Sequence, residues 1–132
     1  ARTLRKESKI YFFDWSEIEN EGARFENYIA LHLLKSCQAW NDIGLGPFGL
    51  FYVRDREKRE VDFLITEKQK PWLLVEAKVS DRQVRPDLRY FQERLKAPHA
   101  IQVVHNLAPD YLVREKGGLM VCAAPRFLQE FC

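Results

Sequence analysis

Asp62, Glu76 and Lys78 are the residues of this chain whose types and spacing suit chemistry best. Asp62 interrupts the apolar run of Val61, Phe63, Leu64 and Ile65, and Glu76 and Lys78 interrupt a second run, WLLVEAKV at 72–79. Ionised groups in strands that otherwise read as buried are costly unless they are paired or bind a metal. Side chains alternate along a strand, so Glu76 and Lys78 are expected on one face with Leu74, and Leu73, Val75 and Ala77 on the other. If the two strands are neighbours, Asp62 and Glu76 converge, and a divalent cation relieves the repulsion between their carboxylates. Hard oxygen ligands with few protein groups suit Mg²⁺ or Mn²⁺, completed by water and a substrate phosphate. Lys78 would then stabilise negative charge developing on that phosphate or orient the attacking water.

A plainer reading competes with this one. Glu76 and Lys78 would be an ion pair on a partly solvated edge strand, and Asp62 a solvated residue near a turn. For an isolated Glu-x-Lys the plainer reading wins, because charge pairs on strands are common. The combination favours a site: a hydrophobic strand with Asp, a turn, then a hydrophobic strand with Glu-x-Lys.

The elements that must position these residues follow from periodicity and breakers. Residues 9–15, KIYFFDW, are rich in β-formers and read as a short strand. From 22 to 40, Phe25, Ile29, Leu33, Cys37 and Trp40 recur at helical spacing with no proline. Gly44, Gly46, Pro47 and Gly49 then break the chain. Strands are expected at 50–54, 60–66 and 72–79, joined as a meander by the charged segments 55–59 and 67–71. Pro86 opens a helix with Leu88, Phe91 and Leu95 on one face. A strand at 100–105, a linker over 106–118, a strand at 119–123 and a terminal helix from Pro125 complete one mixed α/β domain.

Composition narrows the class. The 132 residues suffice for one domain with a real core. A net charge of +2, from 21 basic and 19 acidic residues, does not by itself argue for nucleic acid. No apolar run approaches the roughly 20 residues of a membrane span. Cys37, Cys122 and Cys132 are widely spaced and odd in number, which supports neither a disulfide framework nor a zinc site and fits a reducing, cytoplasmic setting. His32, His99 and His105 lack a ligand spacing and read as packing or surface residues. No P-loop is present, so any ATPase activity would belong to another part of a longer chain.

VDF, 13 residues from Phe63 onward, and then Glu-x-Lys resemble the signature of the PD-(D/E)XK phosphodiesterase superfamily. More specifically, KIYFFD, GARFENYIALHLL, YVRDREKREVDFLI and LLVEAKVS, in that order, are similar to a nuclease-like C-terminal domain of prokaryotic AAA+ ATPases. The resemblance implies a restriction-endonuclease-like core, a mixed central sheet flanked by helices. It further implies that residues 1–132 form a C-terminal fragment of an ATPase chain, with nucleic acid, DNA above all, as partner and homodimers as an option. It carries Asp62, Glu76 and Lys78 over as catalytic residues, and Glu26, Asp62 and Glu76 as ligands for Mg²⁺ or Mn²⁺. For Glu26 an ordinary exposed helix glutamate is an equal alternative. Val61 stands where the signature has proline. Gln92 fits the pattern less well and is expected to face solvent.

Two basic clusters flank the site in sequence: Arg54, Arg56, Lys58 and Arg59, and then Arg82, Arg85, Arg89, Arg94 and Lys96. Each residue singly is more often part of a mixed, solvated surface. Arg82 and Arg85 are the two expected to contact a nucleic-acid backbone. Three functions follow: a Mg²⁺-dependent nuclease, a non-catalytic nucleic-acid-binding or regulatory module of an ATPase, and a protein-interaction domain.

Overall fold

The computed structural model describes residues 4–7 and 20–131. Its first helix, α1 (Glu21–Asp42), starts where Asn20 caps it, the Asn20 carboxamide oxygen accepting from the Ala23 amide at 3.0 Å. Phe25, Ile29, Leu33 and Cys37, each four residues from the last, are buried as one stripe. The helix runs two residues past Trp40, to Asp42. Beyond it the Asn41 side chain both donates to the Phe48 carbonyl and accepts from the Phe48 amide, which joins the helix end to the next strand.

Strands β1 (Leu4–Glu7), β2 (Phe48–Asp55), β3 (Glu60–Glu67) and β4 (Lys70–Lys78) pair antiparallel in sequence order. Helix α2 (Pro86–Leu95) then crosses over to β5 (His99–Val104), which lies parallel to β4. Strands β6 (Leu112–Glu115) and β7 (Leu119–Ala123) and helix α3 (Ala124–Phe131) finish the chain. The seven-stranded sheet has the order β1-β2-β3-β4-β5-β7-β6. Helices α1 and α3 cover one face, where Phe25, Ile29 and Phe127 meet Phe63, Ile65 and Val75. Helix α2 covers the other, with Leu88 and Phe91 against Val61, Leu64 and Leu74. The protein is thus a mixed α/β sheet flanked by helices. Strand β4 has a neighbour on both edges and a helix over each face, which is why it reads as a near-continuous apolar run.

The strand expected at 9–15 lies outside the described residues. One sequence expectation changes. The stretch expected to be a linker, 106–118, contains β6, whose residues are mostly exposed and so carry no apolar alternation. Its strand character comes from pairing with β7, Val113 opposite Val121. The opening basic segment likewise contributes β1, paired with β2.

Gly118 makes the β6–β7 turn possible. It has φ +77°, and a Cβ there would lie 2.3 Å from the Pro98 carbonyl oxygen, while its own carbonyl accepts from the Ala100 amide. Neither neighbour is a flexible side chain. Gly118→Ala is expected to cost about 1–3 kcal/mol, read as a lower urea midpoint with an unchanged slope.

Cys37 and Cys122 are free and buried, and burial pushes their thiols up, to about 11 and about 12. The three histidines pack against aromatic rings: His32 on Tyr28, His99 on Trp72 and His105 on Phe25. Among the described residues, no helix is long and apolar enough to cross a membrane.

Candidate functional site

Strands β3 and β4 are neighbours, and their ladder runs in register from Ile65 opposite Leu73 to Phe63 opposite Val75. The next positions, Asp62 and Glu76, lie beyond the last pair, where side chains replace the backbone partners. The Asp62 amide donates to Glu76 Oε1 at 3.0 Å, and the Ala77 amide donates to Asp62 Oδ2 at 2.9 Å. Each carboxylate therefore caps a main-chain donor that the opening ladder would leave bare. Glu76 is 5% exposed, and Lys78 Nζ stands 3.6 Å from Glu76 Oε2.

Strict alternation does not describe β3. Between the pairs Phe51–Leu64 and Val53–Val61, β2 has one residue, Tyr52, whereas β3 has two, Asp62 and Phe63. This bulge explains why Val61 and Leu64 both enter the α2-side core while Phe63 and Ile65 enter the other. It also re-aims Asp62, which stands between Glu76 of β4 and Glu26 of α1, close enough to hydrogen-bond with the Glu26 carboxyl. Glu26 is half-buried rather than an ordinary exposed helix residue.

The electrostatics follow from that crowding. Burial, then the charges of Glu76 and Glu26, push the Asp62 carboxyl well above the usual carboxylate range; the Ala77 amide only partly opposes this. Burial also raises Glu76, against the pull of the Asp62 amide and the Lys78 ammonium. Three carboxylates, one ammonium and two backbone amides thus meet where the β3–β4 ladder opens.

The donor chemistry of this cluster fits a hard divalent cation. Its oxygens come from two strands and a helix, and their mutual repulsion is of the kind such a cation relieves. Among the described residues, however, no group of three His, Cys, Asp or Glu side chains is placed so that it could hold a metal ion.

The remaining sequence candidates have clear places. Arg82 and Arg85 are exposed on the loop between β4 and α2; the Arg82 guanidinium lies 5.5 Å over the Tyr111 ring, and Arg85 NH1 is 3.9 Å from Asp81. Gln92 does not simply face solvent. It is half-buried and donates to the Gly117 carbonyl at 2.6 Å, tying α2 to the β6–β7 turn. Arg59 leaves the solvated cluster too, because Asp55 and Tyr90 hold it.

Sequence reading missed Gln102. This side chain is fully buried, lies opposite Glu76 in the β4–β5 register, and makes three hydrogen bonds to the backbone of the 81–85 loop. A glutamine within AIQVVH was the available signal, since a lone amide in an apolar strand must find partners when buried.

Residues 21–124 match the family described as Domain of unknown function (DUF4143). The chain belongs to this family. No curated protein and no solved structure matches it. The matched span of this DUF4143 domain runs from the first turn of α1 to the first residue of α3, so it takes in Glu26, Asp62, Glu76, Lys78 and Gln102.

Proposed function

We propose that this DUF4143 domain has a PD-(D/E)XK restriction-endonuclease-like core and is a divalent-cation-dependent nuclease that hydrolyses nucleic-acid phosphodiesters, DNA above all. One observation carries the reading. The β3–β4 ladder opens at two mutually repelling carboxylates, Glu76 buried and Asp62 half-buried, with an ammonium 3.6 Å from Glu76. Carboxylates gathered without a charge partner for each are expensive to bury, and such groups cluster where chemistry needs them.

In this reading Asp62, Glu76 and Glu26 hold Mg²⁺ or Mn²⁺, which when bound supplies positive charge to the phosphate and lowers the pKa of water. The chain's own groups do the rest. Lys78 offsets the negative charge that grows on the phosphate oxygens as water oxygen bonds to phosphorus and the bond to one ester oxygen breaks, that oxygen taking a proton from solvent to become a hydroxyl. The proton lost by the water goes to solvent or to a carboxylate of the cluster. Burial keeps the carboxylates in a low-dielectric setting. Arg82 and Arg85 lie where the strand leaves the site and suit phosphates flanking the scissile one. Two buried free thiols support a reducing, cytoplasmic setting, and the resemblance noted above supports an AAA+ ATPase module in the same chain.

A second reading has its own observation. Both carboxylates already cap backbone amides, and Glu76 already faces Lys78, so the cluster also serves as a structural latch. That arrangement favours a non-catalytic nucleic-acid-binding or regulatory module.

The test is incubation of the protein with labelled DNA and RNA, with Mg²⁺ or Mn²⁺, beside Asp62→Asn, Glu76→Gln and Lys78→Met. Lys78→Met is expected to slow cleavage about 10²–10³-fold. Cleavage that survives all three substitutions would falsify the proposal. Binding without cleavage by the wild-type protein selects the second reading.

A further inference from the structure

We infer that Gln102 is a positioning residue: it fixes the 81–85 loop so that Arg82 and Arg85 present a preformed contact to a nucleic-acid phosphate beside Lys78. The inference rests on the nucleic-acid reading above and assigns to that site the element that holds its flanking phosphate.

Gln102 uses its whole amide on one short loop. Its Nε2 donates to the Asp81 carbonyl at 2.9 Å and to the Gln83 carbonyl at 2.7 Å, and its Oε1 accepts from the Arg85 amide at 2.9 Å. An apolar residue could fill this position of the core without any of these demands. What the glutamine adds is order in a segment whose residues, Val84 apart, are exposed. Two further bonds define the segment's shape: the Gln83 amide donates to Asp81 Oδ1, and the Leu88 amide to the Arg85 carbonyl. Arg85 stands at the cap position of α2 and makes no side-chain cap bond, so its guanidinium extends outward, 47% exposed.

The anchor is also in register with the chemistry. Glu76 lies opposite Gln102, and Lys78 opposite Val104, on paired strands. The His105 and Asn106 amides continue that pairing to the Lys78 and Val79 carbonyls, so the strand end and the loop root are held together. The end of β4 that carries Lys78 and the Arg82–Arg85 loop are therefore both tied to β5 and the residues that follow it. Guanidinium groups present planar pairs of donors that match phosphate oxygens, and a loop ordered in advance loses less entropy when it binds. The one acidic side chain in the loop, Asp81, is exposed and only 3.9 Å-paired with Arg85, a contact weak enough to yield to a phosphate.

The test compares the intact protein with Gln102→Met, with the Arg82→Ala/Arg85→Ala double variant, and with all three changes combined. Binding of fluorescein-labelled DNA and RNA oligonucleotides is followed by anisotropy over a salt series. Gln102→Met is expected to weaken binding about tenfold and to lower the salt slope by about one to two. The double variant should lose the same amount, and the triple variant no more than the double. Hydrogen exchange at the Arg85 amide should speed up in Gln102→Met while the β4–β5 amides stay protected. Inserting Gly-Gly after Gln83 leaves the buried glutamine intact and should reproduce the loss, which covers the case where Gln102→Met folds poorly. Wild-type affinity and slope in a folded Gln102→Met with a freed loop would overturn the inference, as would losses that add in the triple variant. A wild-type protein that binds none of the oligonucleotides overturns the nucleic-acid reading together with it, whereas binding without cleavage removes the catalytic claim and leaves Gln102 in its role.

Discussion

Asp62→Asn is expected to make the domain more stable in the absence of divalent cations and to remove its stabilisation by them. In the wild type, burial and the charges of Glu76 and Glu26 all oppose ionisation of Asp62. Asparagine keeps an oxygen to accept from the Ala77 amide and adds an NH₂ that donates to the neighbouring carboxylates. The gain should be about 0.5–2 kcal/mol, the usual size of a stabilising change at a site held for function. The sign with pH is fixed by the same groups. A carboxyl raised above its ordinary value of 3.8 binds its proton more tightly when folded, so its contribution is fully present below that value and is lost as pH rises through the raised value. The cation-free wild type should therefore gain stability as pH is lowered through the raised value toward 3.8, and Asp62→Asn should show a flatter profile. Thermal melts with EDTA and with Mg²⁺ or Mn²⁺ measure both effects. Equal melting temperatures for the two proteins under every condition would remove the case for a strained carboxylate cluster.

Asp55→Ala is expected to have the opposite consequence, a loss of about 3 kcal/mol or more. The Asp55 side chain is fully buried at the β2–β3 turn, where it accepts from the Glu57 amide at 2.9 Å, the Arg59 amide at 3.1 Å and Arg59 Nε at 2.8 Å. Arg59 in turn stacks over the Tyr90 ring at 3.8 Å and donates to its hydroxyl, linking the turn to α2. Removing the carboxylate leaves two turn amides without their acceptor and releases the cation from its place on the ring. Burial by itself would raise this carboxyl, but the hydrogen bonds and the charge of Arg59 overcome that and hold it below 3.8. Its contribution is thus present above pH 3.8 and disappears as the solution is acidified through the lowered folded value. Urea unfolding near neutral pH and again near pH 3 separates this group from Asp62: the Asp55→Ala deficit should shrink on acidification.

Asp55 and Asp62 are both aspartates near a strand end, and the fold moves their protonation in opposite directions. The difference is a partner. Asp55 has Arg59 four residues away, within reach of one turn, so the pairing is local and could be read from spacing. Arg59 is nearer still to Asp62 in the sequence, but Asp55 and Tyr90 hold it, and the groups around Asp62 are acids from β4 and α1, brought to it by strand pairing and helix packing.

The sequence by itself determined the elements whose stabilisation is local or periodic. The α1 stripe of Phe25, Ile29, Leu33 and Cys37, the breakers around Gly44–Gly49, the three-strand meander, Pro86 at the start of α2 and the strand at 119–123 all follow from spacing and backbone preference. The joint occurrence of Asp62, Glu76 and Lys78 in apolar strands was legible for the same reason, since charge stands out against a periodic apolar background. Tertiary structure decided what depends on partners distant in the chain. Strand β6 exists because β7 lies beside it. The bulge at Asp62–Phe63, invisible to an alternation rule, turns Asp62 toward Glu26. Gln102 looked like one polar residue in a buried strand until the fold placed the 81–85 loop over it. Local sequence records which side chains cannot rest in a core unaided, and only packing supplies the groups that answer them.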